Sequence, residues 1–343
     1  MKKLEAKKSN VTRDPNDIPK VSVVIPAYNS AGNIVETLES VFGQEFRSFE
    51  IVLVNDGSPD TEEFERVIGP YLEKIVYIKQ PNAGAAEARN TGIERSRGEI
   101  IAFLDSDDIW YPEYLASQVA FLESNGLGMA YCDAELFGMP SVIGTSFMDG
   151  SPSSGEVSVE SLLDIRCNVI TSGTIARKRV IEAAGMFERN KRVQSEDFHL
   201  WVRIAHLGER IGYQRCKLLK YRVSVEGLSG DSVNRVWRAI DVFQRLDRDV
   251  NLTEEQRSVL LRRIEGFEAD MEIEKGKAYL VNGYFVEASR SFASANRRRR
   301  SIKLAGISIL TRIFPRLVLK MFEAKNAGEI AFIQKLDGSS TSR

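Results

Sequence analysis

The chain has 343 residues, 43% apolar and 28% charged, with a formal net charge of −1. That is room for one large domain or two, and the balance argues against a dedicated nucleic-acid binder. No uncharged apolar run reaches the ~18 residues that suggest a membrane span. Cys132, Cys167 and Cys216 have no zinc-ligand spacing with His199 or His206, which fits free thiols in a reducing, cytoplasmic compartment.

Residues 1–20 are polar, carry no signal-like apolar stretch and read as a flexible tail. Strand and helix patterns then alternate. Val21–Ile25 is a buried strand stopped by Pro26, and Ile34, Leu38, Val41 and Phe42 share one helix face. Glu50–Val54 is a strand ended by Asn55-Asp56-Gly57-Ser58, and Pro59-Asp60-Thr61 opens a helix. Ile75–Ile78, a helix over 85–96 and the strand Glu99–Leu104 follow. β-Branched strands separated by single helices imply an α/β fold with a mostly parallel sheet, whose ligands gather beyond the strand carboxyl ends. Three polar clusters lie at such ends: Pro26-Ala27-Tyr28-Asn29, the Asp56 turn and Asp105-Ser106-Asp107-Asp108. Three carboxylates in four positions suit a hard divalent cation, Mg²⁺ or Mn²⁺, although a solvated acidic turn has the same pattern.

Helix Tyr114–Ser124, strand Gly128–Phe137, a Gly/Ser/Pro-rich surface loop over 138–160 and a strand Thr171–Arg177 come next. A short helix Arg179–Ala184 closes at Gly185, a helix opens at Ser195-Glu196-Asp197, and Arg210–Val223 is expected as an edge strand. Beyond about Gly230 amphipathic helices dominate, which gives a domain at 21–230 and a helical region at 231–343.

The segments VSVVIPAYN, VNDGSPD, NAGAAEARNTGIERSRGEIIAFLDSDD and SEDFHLWVRIA, in that order, resemble the family 2 inverting glycosyltransferases of the GT-A, Rossmann-like fold. The resemblance spans residues 21–225 and implies a nucleotide-sugar donor. Pro26, Ala27 and Tyr28 would lie beside the base, and Asp56 would accept from its imide N–H, favouring UDP or TDP. The plainer reading of Asp56 is an Asx-turn with Gly57, which is compatible with binding. Gly84 lets backbone approach the donor. Arg89 and Asn90 would reach ribose or phosphate, while Arg89 could instead pair with an acidic-motif carboxylate. Asp105, with Ser106 beside it, would meet ribose, Asp107 would hold the metal, and Asp108 would cap the turn before Tyr111-Pro112. Asp197 would be the general base, against the plainer reading of a first-turn helix charge. His199 could contact donor or acceptor or simply sit at the surface, and Trp201 and Arg203 pack. The family often carries a histidine after a Tyr-Arg pair; here Tyr221-Arg222 is followed by Val223-Ser224-Val225, leaving any loop contact to the diphosphate to Arg222, Ser229 or backbone.

The implied reaction moves a sugar to a hydroxyl of a glycan or lipid-linked acceptor, as in polysaccharide or glycolipid synthesis. The other classes compatible with an acidic nucleotide site are a nucleotidyltransferase, whose Gly-rich basic loop is absent after the first strand, and a non-catalytic nucleotide-sugar or glycan-binding protein. In the last third, residues 277–295 faintly resemble one tetratricopeptide-like hairpin. Ten Lys/Arg between Arg290 and Lys325 face one acid, Glu323. Ser308, Arg312, Arg316 and Lys320 read as one polar helical stripe flanked by Ile309, Ile313, Leu317 and Phe322. The segment fits peripheral contact with an anionic membrane, a surface helix docked on the hairpin and kinked at Pro315, or, less well, binding to an acidic partner.

Overall fold

The computed structural model describes residues 18–189, 194–224 and 232–325. The chain divides into two compact units, Met1–Gly227 with Asp249–Asn251, and Leu228–Arg248 with Leu252–Arg343.

The first unit is a mixed α/β sheet flanked by helices. Its strands are β1 (Val21–Ala27), β2 (Phe49–Asn55), β3 (Val76–Lys79), β4 (Ile100–Phe103), β5 (Ile109–Trp110), β6 (Met129–Phe137), β7 (Thr174–Arg177) and β8 (Ile211–Arg222). They lie in the order β3-β2-β1-β4-β7-β6-β8-β5. The helices are α1 (Ile34–Phe42), α2 (Thr61–Ile68), α3 (Ala85–Arg95), α4 (Tyr114–Ser124), α5 (Phe147–Gly150), α6 (Val159–Leu163), α7 (Lys178–Ala183) and α8 (Glu196–His206).

The Val/Ile/Leu runs of β1, β2 and β4 are buried on both faces, as a helix-covered parallel sheet requires. Each fully buried aliphatic side chain contributes about 1.5–3 kcal/mol. Helix α3 presses close to the sheet, because a Cβ on Gly92 would stand 2.4 Å from Val24 Cγ1. Strand order reverses at β1, which has β2 on one side and β4 on the other. Pairing of β1 with β4 stops at Val24–Phe103, whereas pairing with β2 continues to Ala27–Asn55. The strands therefore part at their carboxyl ends and open a crevice there.

Two features depart from the sequence reading. β7 is antiparallel to both β4 and β6, so it enters the sheet from the rim where β4 and β6 leave it. β8 is not the edge, since the two-residue strand β5 pairs antiparallel outside it. Too short to show any periodicity, β5 leaves no trace in the sequence. The 138–160 stretch contains helix α5, entered through a capping box between Ser146 and Asp149.

The second unit is helical: α9 (Ser232–Asp249), α10 (Glu254–Val281), α11 (Phe285–Arg299), α12 (Ile302–Ile313) and α13 (Pro315–Lys325). Thr253 caps α10, accepting from Gln256 N at 3.2 Å. The hairpin α10–α11 is tight, because a Cβ on Gly276 would meet the Phe292 ring at 2.6 Å. The single polar stripe expected through Ser308 to Lys320 is broken. Pro315 starts a new helix, and Ser308 turns inward, exchanging hydrogen bonds with Ser289. Residues 1–17 of the expected tail, Ser229 and residues 326–343 lie outside the described residues.

Candidate active site

The Tyr28, Asp56 and Asp105–Asp108 clusters lie along one rim, and Glu196 is joined to it through Arg89. The carboxyl ends of β1, β2, β3, β4, β6 and β8 lie there, together with the amino end of β7.

Asp56 is buried beneath a turn. One carboxylate oxygen accepts from Gln80 Nε2 (2.8 Å) and Ala83 N (2.9 Å), the other from Gly84 N (2.7 Å). A carboxylate offers about four lone-pair positions, so one remains on Oδ2. The group thus shapes the 82–84 loop that leads into α3, with a single acceptor position to spare. Gly57 makes this packing possible: its φ is +64°, and a Cβ would stand 2.5 Å from Asn82 N. Gly57→Ala is expected to cost about 2–3 kcal/mol through left-handed strain and displaced backbone, seen as a lower thermal midpoint. A midpoint equal to the parent's would show that the loop gives way freely. Beside the turn, Tyr28 is 54% exposed while Ala27 is buried, so an aromatic face lies open next to Asp56. Asn29 N donates to Ser58 Oγ (2.6 Å), tying the two turns together.

Strand β4 ends at Phe103, so Asp105, Ser106 and Asp107 lie in a turn closed by Asp108 N donating to Asp105 O (3.2 Å) rather than on alternating strand faces. Arg89, buried on α3, donates to Asp105 Oδ1 and to Glu196 Oε1, each at 2.7 Å, and its guanidinium stacks 5.5 Å from the Phe187 ring. This is the ion-pair alternative, extended to a second acid. Burial pulls the Arg89 pKa down, but the charges of Asp105 and Glu196 win and raise it. Asn90 differs from the expectation of a ribose contact. It is fully buried, its amide donating to Phe187 O (2.9 Å) and its oxygen accepting from Phe187 N (3.0 Å).

Asp108 is also corrected. Instead of capping the turn before Tyr111, its Oδ1 accepts from Arg222 N (2.8 Å), anchoring the end of β8. Its Oδ2 is buried with no hydrogen-bond partner. Burial, then the charges of Asp105 and Asp107, push the Asp108 carboxyl well above the usual range. Asp107 is raised for the same first reason, burial, and next by Asp105. Among the described residues the Asp107 carboxylate has no ion pair. Arg222 donates from Nε to Asp107 O (2.8 Å), but its outer nitrogen is held by Glu36 (2.7 Å). The site is therefore rich in buried, undercompensated carboxylate oxygen. That is the donor set a hard divalent cation takes.

Helix α8 starts at Glu196 after Ser195, which holds a left-handed φ of 58° and gives no side-chain cap. Burial raises the Glu196 carboxyl; Arg89 opposes this and the Asp197 charge adds to it. Asp197 accepts from Thr171 Oγ1 (2.8 Å) on Oδ2 and from Phe198 N (2.7 Å) on Oδ1. One position along the same turn, Ser172 Oγ accepts from Asp105 N (3.1 Å), and Ser172 O accepts from Trp110 Nε1 (2.8 Å). The turn 171–173 thus bridges the two acidic motifs. Sequence reasoning missed both residues, since nothing local marks a Thr-Ser pair as lying beside carboxylates far along the chain. Burial and then the charges of Asp108, Asp105 and Asp107 raise the pKa of the Tyr221 hydroxyl. His199 is turned away and buried, with Nε2 3.3 Å from Asp249 Oδ2.

Residues 22–145 match the family model "Glycosyl transferase family 2". The chain is 30% identical over 226 residues to the UDP-Glc:alpha-D-GlcNAc-diphosphoundecaprenol beta-1,3-glucosyltransferase WfgD of Escherichia coli, covering 65% of this chain and 85% of that one. An uncharacterized glycosyltransferase of Rickettsia bellii is 34% identical over 193 residues, which are 54% of this chain but only 26% of the relative's length. In fold, the chain is similar to the mannosyltransferase PcManGT from Pyrobaculum calidifontis in complex with GDP-Man and Mn2+ (TM-score 0.60, 19% identity, 94% and 91% of the two chains). The chain belongs to glycosyltransferase family 2, with the GT-A fold.

Proposed function

We propose that residues 21–230 form an inverting, metal-dependent catalytic domain. It would transfer a sugar from a UDP- or TDP-linked donor to a hydroxyl of a glycan or lipid-linked acceptor. The observation that carries this reading is the linked acidic rim, in which Arg89 bridges Asp105 to Glu196 and Thr171 holds the neighbouring Asp197. The activity that WfgD is named for, with a UDP-glucose donor and a diphosphoundecaprenol-linked acceptor, supports the choice of both substrates.

Tyr28 offers a stacking face for the base, and the remaining lone pair of Asp56 would accept an imide N–H, which uracil and thymine carry and cytosine lacks. Pro26 and Ala27 present backbone beside it, and the glycine at position 84 leaves the start of α3 open to the donor. Asp107, with Asp105 and the unpartnered oxygen of Asp108 near it, would hold Mg²⁺ or Mn²⁺. The bound cation would supply Lewis-acid neutralisation of the departing diphosphate. Asp105 is oriented by Arg89, which leaves its second oxygen for ribose, with Ser106 alongside.

On the acceptor side Asp197 takes the hydroxyl proton as that oxygen bonds to the anomeric carbon and the carbon–phosphate oxygen bond breaks. Each Asp197 oxygen already accepts one hydrogen bond, and each keeps a lone pair for the incoming hydroxyl. Asn90 shapes the wall through Phe187 and does not touch substrate. Donor hydrolysis followed against Mn²⁺ tests the reading. Asp107→Ala is expected to lower turnover about a hundredfold, near 3 kcal/mol, and to flatten the dependence on Mn²⁺. A variant that keeps the parent's Mn²⁺ curve would remove Asp107 from the metal role.

A further inference from the structure

Helices α12 and α13 each bury one face and leave a second, apolar face exposed. The inner face of α12 carries Leu304, Ser308 and Thr311, buried, with Leu304 packing in a cluster with Ala269 and Ala295. On α13, Val318, Leu319 and Phe322 pack against Leu280, Ala288 and Phe292 of the α10–α11 hairpin. On the opposite side of α12, at helical spacing, stand Ile302 (93% exposed), Ile309 (58%) and Ile313 (59%). On the outer side of α13 stand Leu317 (54%) and Met321 (63%), with Phe314 (56%) at the break between the helices. Both outer faces are turned away from the hairpin.

Cations border this surface. Lys303 and Arg312 flank the isoleucines on either side of α12, and Arg316 and Lys320 lie along one side of the α13 face. All four are exposed, and among the described residues none is in an ion pair. By contrast, Arg298 and Arg299 are spent on Glu268 and Asp270 of α10. A protein-binding hot spot would usually centre on Trp, Tyr or Arg in a packed pocket. An open array of Ile, Leu, Met and Phe edged by unpaired Lys and Arg has instead the composition of a helix lying in a membrane interface. No helix among the described residues is long and apolar enough to cross a membrane.

We propose that the outward face of α12 and α13 docks on an anionic lipid bilayer, with Ile302, Ile309, Ile313, Leu317 and Met321 entering the headgroup–acyl boundary while Lys303, Arg312, Arg316 and Lys320 meet lipid phosphates. The inference rests on the helical unit alone and stands or falls independently of the reaction assigned above.

Flotation of the full chain with vesicles tests it, comparing phosphatidylcholine alone with phosphatidylcholine mixed with phosphatidylglycerol. Binding is expected only to the mixed vesicles and is weakened by salt. Arg312→Gln with Arg316→Gln should bind about thirtyfold more weakly. Ile309→Asp with Ile313→Asp should abolish flotation while the far-ultraviolet circular dichroism stays that of the parent. Equal flotation with both lipid mixtures, or undiminished flotation of either double variant, overturns the proposal. So does a chain that ignores vesicles and sediments as a dimer until Ile309→Asp dissociates it, because the face would then be covered by a second copy.

Discussion

Asp197→Asn is expected to lower turnover by about 10³-fold while leaving nucleotide affinity unchanged, because the amide keeps the shape of the carboxylate and loses its capacity to take a proton. The neighbouring acid gives a control. Glu196 is committed to Arg89 at 2.7 Å, so Glu196→Gln should act chiefly on stability. Steady-state transfer and equilibrium nucleotide binding, measured on the same preparation, separate the two outcomes. Thr171→Val supplies a graded test: it removes the 2.8 Å hydrogen bond that orients Asp197 and should lower the turnover number without raising the Michaelis constant for donor. Normal turnover by Asp197→Asn would transfer the role of base to another group.

The second large effect concerns Arg89. Its guanidinium is buried and joins two acids from motifs that are 91 residues apart, Asp105 and Glu196. Arg89→Met keeps the aliphatic stem but strands both carboxylates in a poorly solvated site already crowded by Asp107, Asp108 and Asp197. Removing one partner from such an arrangement costs about 3–5 kcal/mol, far more than loss of a surface pair. For a unit of this size that is a fall of roughly 10 °C in thermal midpoint. Adding Glu196→Gln to Arg89→Met should recover part of the loss, since it removes one stranded charge. If Arg89→Met melts with the parent, the bridge is decorative and the coupling of the two acidic motifs must be sought elsewhere.

The parallel half of the sheet, β1 to β4, was legible because its signals are local. Runs such as Val21–Ile25 and Ile100–Leu104 announce strands buried on both sides, and Gly57 and Gly84 mark turns that only glycine fits well. The helical character of the chain beyond Gly230 was equally plain from its amphipathic pattern. What stayed hidden depends on contacts distant in sequence. Asn90 has the composition of a ligand-binding residue, yet its amide is consumed by the Phe187 backbone. Asp108 looked like a local cap because nothing in the sequence indicates that β8 would return beside it. Ser308 was assigned to the polar stripe because α12 and α13 read as one helix until Pro315 reset the phase.

The reversed direction of β7 has a consequence for how this chain can diversify. Phe137 and Thr171 are both fixed at the functional rim, so everything between them forms a closed excursion that begins and ends beside the acids. Lengthening or shortening that excursion leaves the pairing of β1, β2 and β3 untouched. Under the reaction proposed above, the acceptor side could therefore be rewritten in one cassette while the half assigned to the base is inherited intact.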